Sequence, residues 1–159
     1  MTPARITLLF LLVLSAPALG QDLRPRTSGQ RVYLPIYSHL WYGEVDARGQ
    51  PQKSLVSVLV SVRSADSKRA LQITSARYYD TNGKTLKEYV EKPRTVGPLA
   101  TFELFIPRSD DSGGSGANFI ITWKSDAPID PPVIEAVHAN LSASRSVAFI
   151  TSARVLNPD

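Results

Sequence analysis

The segment Leu55 to Arg63, LVSVLVSVR, puts Val56, Val58, Val60 and Val62 on one side of an extended chain. Leu55, Ser57, Leu59 and Ser61 fall on the other side. A period of two with β-branched residues does not fit the 3.6-residue helical turn. It predicts a strand with one face turned to a core. The pattern recurs between turn signals. Leu71 to Asp80 predicts a second strand, with Leu71, Ile73, Ser75, Arg77 and Tyr79 on one face. Asp80-Thr81-Asn82-Gly83 predicts a tight hairpin, because Asn-Gly accepts positive φ, and Thr85 to Val90 returns from it. Phe102, Leu104 and Ile106 alternate within Leu99 to Pro107, as do Phe119, Ile121 and Trp123 within Asn118 to Lys124.

Pro132 to Asn140 and Ser146 to Leu156 predict the last two strands. Val133 to Val137 has a composition compatible with a short helix, but Pro131 and Pro132 favour an extended start. Upstream, Arg31 to Gly43, RVYLPIYSHLWYG, is dense in aromatic and β-branched residues. Pro35 removes a backbone donor there, which predicts an edge strand or a strand with a break. Val45 to Ser54, Glu91 to Pro98, Arg108 to Gly116 and Ser125 to Pro132 read as loops from their Pro, Gly and polar content. Short strands at this spacing predict an all-β fold. We expect an antiparallel immunoglobulin- or fibronectin-like sandwich of seven or eight strands, with a small β-barrel as the alternative.

The first twenty residues have a different character. One positive charge, Arg5, precedes an apolar run from Ile6 to Leu14, and small residues stand at Ala18 and Gly20. These are the three parts of a secretory signal peptide, cut after Gly20. The run is too short to span a bilayer, which needs about 20 apolar residues. The expected organisation is therefore a signal peptide over residues 1–20, a flexible lead-in over 21–30, and one β-sandwich domain over 31–159. The expected location is the periplasm or the exterior. No later segment is apolar enough to cross a membrane, and a lone Arg does not make a twin-arginine signal.

Cysteine is absent. Disulfides, thiolate catalysis and Cys-based zinc sites are therefore excluded, and the domain must hold by packing. The formal charge is +4, but the basic residues are scattered, with Lys68-Arg69 as the one doublet. Nucleic-acid binding needs them gathered on one face, so no nucleic-acid partner is expected.

Candidate chemistry is sparse. His39 and His138 lie on different predicted strands, and His138 and Glu135 point to opposite faces. A zinc site needs three or four ligands, so no metal site is expected. One histidine should be superficial and the other structural. Gly113-Gly114-Ser115-Gly116-Ala117 has the outline of a nucleophile elbow, but a strand follows it and no α/β sheet is in view. Asp110, Asp111, Ser112 and Asn118 offer oxygens that an extracellular calcium site would use. An anion nest is a further reading, opposed by the paired aspartates. The plain reading is a tight connection whose glycines take positive φ and whose aspartates accept backbone hydrogen bonds. Asp46, Asp66, Asp80, Glu88 and Glu91 sit in turns or at strand ends and read as solvated. Asn140-Leu141-Ser142 is a glycosylation sequon.

Aromatic residues carry the remaining signal. Tyr33, Tyr37, Trp41 and Tyr42 lie close together, and Tyr78, Tyr79 and Tyr89 flank the Asn-Gly hairpin. Exposed aromatics beside an edge strand suit a protein or carbohydrate partner. An edge strand can also accept a partner's strand.

The ordered segments YLPIYSHLWYG, LVSVLVSVR, ITSARYYDTNGK, PLATFELFI and DDSGGSGANFIITW resemble a family of bacterial exported proteins of unknown function, over roughly Tyr33 to Val155. The resemblance implies export and, in some relatives, a lipid anchor, for which this chain lacks the Cys. It implies no activity and no catalytic residues. The layout is also similar to fibronectin-like and desiccation-protein-like sandwiches, and fold alone does not decide function.

These readings converge on a non-enzymatic binding or structural module of the bacterial envelope, with a protein or a carbohydrate as its partner and no cofactor. The candidate binding residues are Tyr37, His39, Trp41, Tyr42, Asp110, Asp111, Ser115 and Asn118. The alternatives are a small hydrolase using the 108–118 loop with a histidine, and a calcium-stabilised module.

Overall fold

The structure is a computed structural model that describes residues 25–142 and 146–157. The signal peptide expected over residues 1–20 lies outside the described residues. Among the described residues every element is a strand: β1 (Thr27–Ile36), β2 (His39–Tyr42), β3 (Gln52–Leu55), β4 (Ser57–Arg63), β5 (Leu71–Tyr79), β6 (Thr85–Glu88), β7 (Arg94–Val96), β8 (Thr101–Ile106), β9 (Ala117–Ile129), β10 (Val133–Leu141), β11 (Ser146–Ser152) and β12 (Arg154–Val155).

All pairings are antiparallel. One sheet has the order β12-β1-β9-β5-β6, with β7 also on β5, and the second has the order β11-β10-β4-β8. β2 and β3 form a separate hairpin, and no sheet among the described strands closes into a barrel. The fold is a β-sandwich. The expected seven or eight strands become twelve among the described residues because β2, β3, β7 and β12 are short pieces inside segments read as loops or as parts of longer strands.

The core lies between the two sheets. Val56, Val58, Val60 and Val62 are all buried, as are Phe119, Ile121 and Trp123. Parity predicts these residues because β4 and the start of β9 run without a bulge. Trp123, Tyr78 and Phe119 are the largest fully buried side chains, and Tyr78 stacks on Phe119 with centroids 5.0 Å apart. Pro35 lies beyond the short stretch in which β1 pairs β12, so its missing donor leaves no gap in a ladder.

Parity fails in β5. Ile73 pairs with Trp123 but Ser75 pairs with Thr122, so Thr74 is an extra residue on one strand. This bulge reverses the faces. Leu71 and Ile73 point inward, and beyond the bulge Ala76 and Tyr78 do so instead of Ser75, Arg77 and Tyr79. An unbroken alternation would have driven the Arg77 guanidinium into the core, where an unpaired charge is costly.

Three other expectations change and one is met. Residues 27–30 belong to β1 rather than to a lead-in, since Thr27 pairs with Ile129. β9 runs on through the segment read as a loop after Lys124 and buries Ile129. Val133 to Val137 is extended, within β10, as the two prolines before it predict. Finally, two acids read as solvated are working parts. Asp66 is buried, and its Oδ1 accepts the N–H of Lys68 and of Arg69, each at 2.8 Å. These two bonds and the Arg26 guanidinium hold its carboxyl below the usual range. Glu88 accepts the Ser75 hydroxyl at 2.7 Å, the Ala76 N–H at 2.7 Å and the Val90 N–H at 3.1 Å. Burial pushes its pKa up, but these bonds and Arg77 outweigh it, and the net shift is downward.

Candidate functional site

The β2–β3 hairpin stands at one end of the sandwich, and Ser38 roots it. Its N–H donates to the Gly114 carbonyl at 2.9 Å, and its carbonyl accepts from Val56 N–H at 3.0 Å. Its hydroxyl meets the Tyr78 hydroxyl at 3.1 Å inside the protein. A hairpin that leaves both sheets needs such a tie, because two strands alone are marginal in water.

The glycine-rich loop supplies the other half of that tie. The Thr81 N–H and hydroxyl both donate to the Gly113 carbonyl, at 2.9 and 3.0 Å, and Gly116 N–H donates back to the Thr81 hydroxyl at 3.0 Å. Gly114 has φ 79°. A Cβ on Gly113 would overlap the Tyr78 hydroxyl and come within 2.8 Å of the Ala117 Cβ. Gly113 is required for space, and Gly114 for both conformation and space, since a Cβ there would run into the Thr81 hydroxyl. The loop welds the Asn-Gly hairpin to the root of β2.

Trp41 and Tyr42 are exposed at 48% and 37%, and they point to opposite sides of the hairpin. Trp41 packs edge-on against His39, with centroids 4.8 Å apart. Tyr42 looks into a cleft of about 550 Å³, walled by Gln52 to Leu55 of the hairpin and by Arg108, Asn140, Ser142 and Val147 at the ends of the second sheet. Across the cleft Arg108 Nη1 donates to Asn140 Oδ1 at 3.3 Å, and Asn140 Nδ2 donates to Ser54 Oγ at 3.3 Å. No carboxylate lines it among the described residues. Lys53 also borders it, with its Nζ 2.6 Å from Asp111 Oδ2.

Both histidines are buried, so the structural one is as expected and the superficial one is not found. Nε2 of His138 accepts the Tyr37 N–H at 3.1 Å, and its ring stacks on Phe149 at 4.5 Å. Burial pulls its pKa down to about 4. His39 lies near the Lys53–Asp111 pair. Burial first and Lys53 second lower its pKa, against an opposing pull from Asp111. Neither His39 nitrogen has a hydrogen-bond partner. A nucleophile–base–acid relay needs those bonds, so His39 and the loop do not form one in this geometry.

The residues that fix this arrangement fall within 29–156, which match the family model described as "Protein of unknown function (DUF3124)". The chain belongs to that family. The DUF3124 match runs from within β1 to the residue after β12, so all of the sandwich except Thr27 and Ser28 of β1, and the whole hairpin, lie inside it. No curated protein matches the chain. A solved crystal structure, that of Thermotoga maritima 1070, is similar at 7% identity and a TM-score of 0.43, over 79% of this chain and 92% of that chain.

Within the DUF3124 domain, the eight candidate residues separate into groups. His39, Trp41, Tyr42 and Asp111 come together around the hairpin, with Asp111 reaching it through Lys53. Tyr37 packs edge-on against His138 and Phe149, with centroids 5.7 and 5.6 Å away, and so supports the core. Asp110 Oδ1 accepts the Ser112 N–H and hydroxyl, at 3.2 and 2.6 Å, which is turn chemistry. Ser115 is half-buried in the loop. Asn118 lies within β9 between Pro35 and Tyr79, away from the loop oxygens it was grouped with. No group of three or more His, Asp or Glu that could hold a metal occurs among the described residues. Arg108, Asn140 and Ser54 are the functional candidates that sequence reasoning missed. The sequon was the one signal at Asn140, and it pointed to modification rather than recognition.

Proposed function

We propose that this DUF3124 protein is an exported binding module of the bacterial envelope, non-enzymatic, and that it takes an acidic saccharide in the cleft beneath Tyr42. The carrying observation is the lining itself. An aromatic ring, a guanidinium and an amide network face one cleft that no carboxylate borders among the described residues.

Each group has a matching part on such a ligand. The C–H face of a sugar ring packs on a tyrosine ring, and its hydroxyls exchange hydrogen bonds with amide and hydroxyl side chains. A carboxylate fits the fork of an arginine, and charge-assisted bonds of this kind are about twice as strong as neutral ones. Arg108 bonds a neutral amide. It therefore carries a charge that an acidic ligand would neutralise, while Lys53 already has Asp111.

Titration calorimetry with a hexuronate oligomer and a neutral hexose oligomer tests the reading. We expect binding of the acidic oligomer that weakens with salt, since exposed charge pairs are screened. Arg108→Gln should remove the preference for acid, and Tyr42→Ala should weaken both ligands. Equal indifference to both oligomers in the unaltered protein overturns the proposal.

A further inference from the structure

The outer face of the second sheet carries a feature that the cleft does not explain. In the registers of that sheet, Phe105 of β8 is opposite Leu59 of β4, Leu59 is opposite Val137 of β10, and Val137 is opposite Ile150 of β11. The neighbours of Leu59 and Val137 along their strands, Val58, Val60, Ala136 and His138, point into the core. The four apolar side chains therefore form one row across the outside of all four strands. Phe105 is 58% exposed and Ile150 60%.

The rows beside it are equally telling. On one side stand Ser57, Ala139 and Ala148, which are small, and beyond them Leu141, 79% exposed. On the other side stand Glu103, Ser61 and Glu135, and beyond them Arg63 and Val133. Ser61 donates to Glu103, and Arg63 pairs with Glu135 at 3.0 Å. Nothing among the described residues covers the apolar row. The nearby edge of the sheet is a different matter: the Thr151 hydroxyl donates to the Pro35 carbonyl at 2.7 Å and ties β11 to β1. What the sheet offers is a face, not an edge.

We infer that this face is the contact between two copies of the chain, packed outer sheet to outer sheet about a twofold axis lying along the Phe105–Leu59–Val137–Ile150 row. Three observations favour a second copy. The first is self-complementarity: such an axis lays each apolar residue of the row on its own counterpart. Val133 and Leu141 are four residues to either side of Val137, so each comes over the other. The second is charge placement. Glu103 and Glu135 of one copy come over the Ser57, Ala139 and Ala148 row of the other, so no carboxylate meets a carboxylate. The third is area. Four strands spaced about 4.8 Å apart, over the length of β10, present roughly 500 Å² per copy. Two such faces reach about 1,000 Å², the lower bound for a specific interface, which makes the dimer a concentration-dependent one. Sheets packed face to face in this way are the arrangement by which sandwiches build their own interiors.

Sedimentation equilibrium of the purified protein across micromolar to millimolar concentrations tests this. A reversible monomer–dimer equilibrium is expected, and it should tighten or hold as sodium sulfate is added, because apolar burial strengthens in that salt. Phe105→Ser and Ile150→Ser should each weaken the dimer at least tenfold with an unchanged circular dichroism spectrum. Val155→Ser, an exposed apolar residue off this face, should leave it unchanged. If Phe105→Ser perturbs the fold, Ile150→Ser alone decides. A monomer at every concentration, or a dimer indifferent to both face substitutions, overturns the inference and assigns the face to a different molecule.

Discussion

The backbone N–H of Tyr37 donates to Nε2 of His138 at 3.1 Å, joining the end of β1 to the middle of β10 across the sandwich. This bond puts the proton of the neutral ring on Nδ1. Nδ1 makes no hydrogen bond, and the Ala136 and Phe149 backbone favours the charged ring. Burial dominates, and the folded pKa falls from 6.5 to about 4. Between those values the unfolded chain binds a proton that the folded chain refuses. The stability from the neutral ring is therefore complete above about pH 6.5 and is lost as pH falls toward 4, by about 3 kcal/mol. His39, also lowered, adds a loss of the same sign. Urea midpoints between pH 7 and 5, above the range of the lowered carboxylates, should decline in the native protein. His138→Gln, which keeps an acceptor for Tyr37, should flatten that decline.

Gly113→Ala should destabilise the protein by about 1–3 kcal/mol, the usual cost of forcing a group into a filled space. The added methyl would displace Tyr78 from its stack on Phe119 and from Ser38. Gly49→Ala is the comparison. That glycine has positive φ, but its Cβ would meet nothing, so only the backbone cost of a left-handed alanine, about 1–2 kcal/mol, applies. Near-ultraviolet dichroism separates the two, since it should change for Gly113→Ala alone.

Glu88→Gln should cost about 1–3 kcal/mol. The carboxylate accepts bonds from three donors around the β5 bulge, and an amide group can replace only part of that set. Because the native pKa of Glu88 is lowered, its contribution is present above the unfolded value near 4.5 and disappears as pH falls through the folded one. Stability curves of native and Glu88→Gln proteins should therefore converge in acid.

Trp41→Ala and Tyr42→Ala should part company. Tyr42 faces the cleft, and its loss should reduce saccharide affinity with little change in melting temperature. Trp41 lies over His39 on the other side of the hairpin, and its removal uncovers that ring. Its loss should raise the pKa of His39 toward 6.5, visible as a shifted imidazole titration by NMR, and leave the saccharide titration nearly as it was.

The sequence revealed what obeys local rules. Strand positions in β4, β8 and the first half of β9 follow from parity, and Trp123 follows from its size. What it hid depends on partners. The bulge at Thr74 is set by the register of β9 on β5, which no local pattern encodes. Glu88 and Asp66 resemble solvated acids until the backbone N–H groups around them are placed. The candidate site was half visible. Aromatic density flagged Trp41 and Tyr42, but Arg108, Asn140 and Ser54 meet only because β8, β10 and the hairpin end at the same place. Tyr37 was grouped with the surface aromatics because parity says nothing about which neighbour will cover a half-buried ring.

The pairing of β1 has a kinetic consequence. Its partners are β9 and β12, so Val32 lies between Ile121 and Val155. The first strand of the sheet can be bonded on both sides only when almost the whole polypeptide is present. Assembly must then begin with the nearby pairs, β5 with β6 and β10 with β11, and acquire β1 late, which places this chain among slow folders governed by distant contacts. A chain threaded through a translocase would have that delay built in, arriving on the far side before its opening strand could lock.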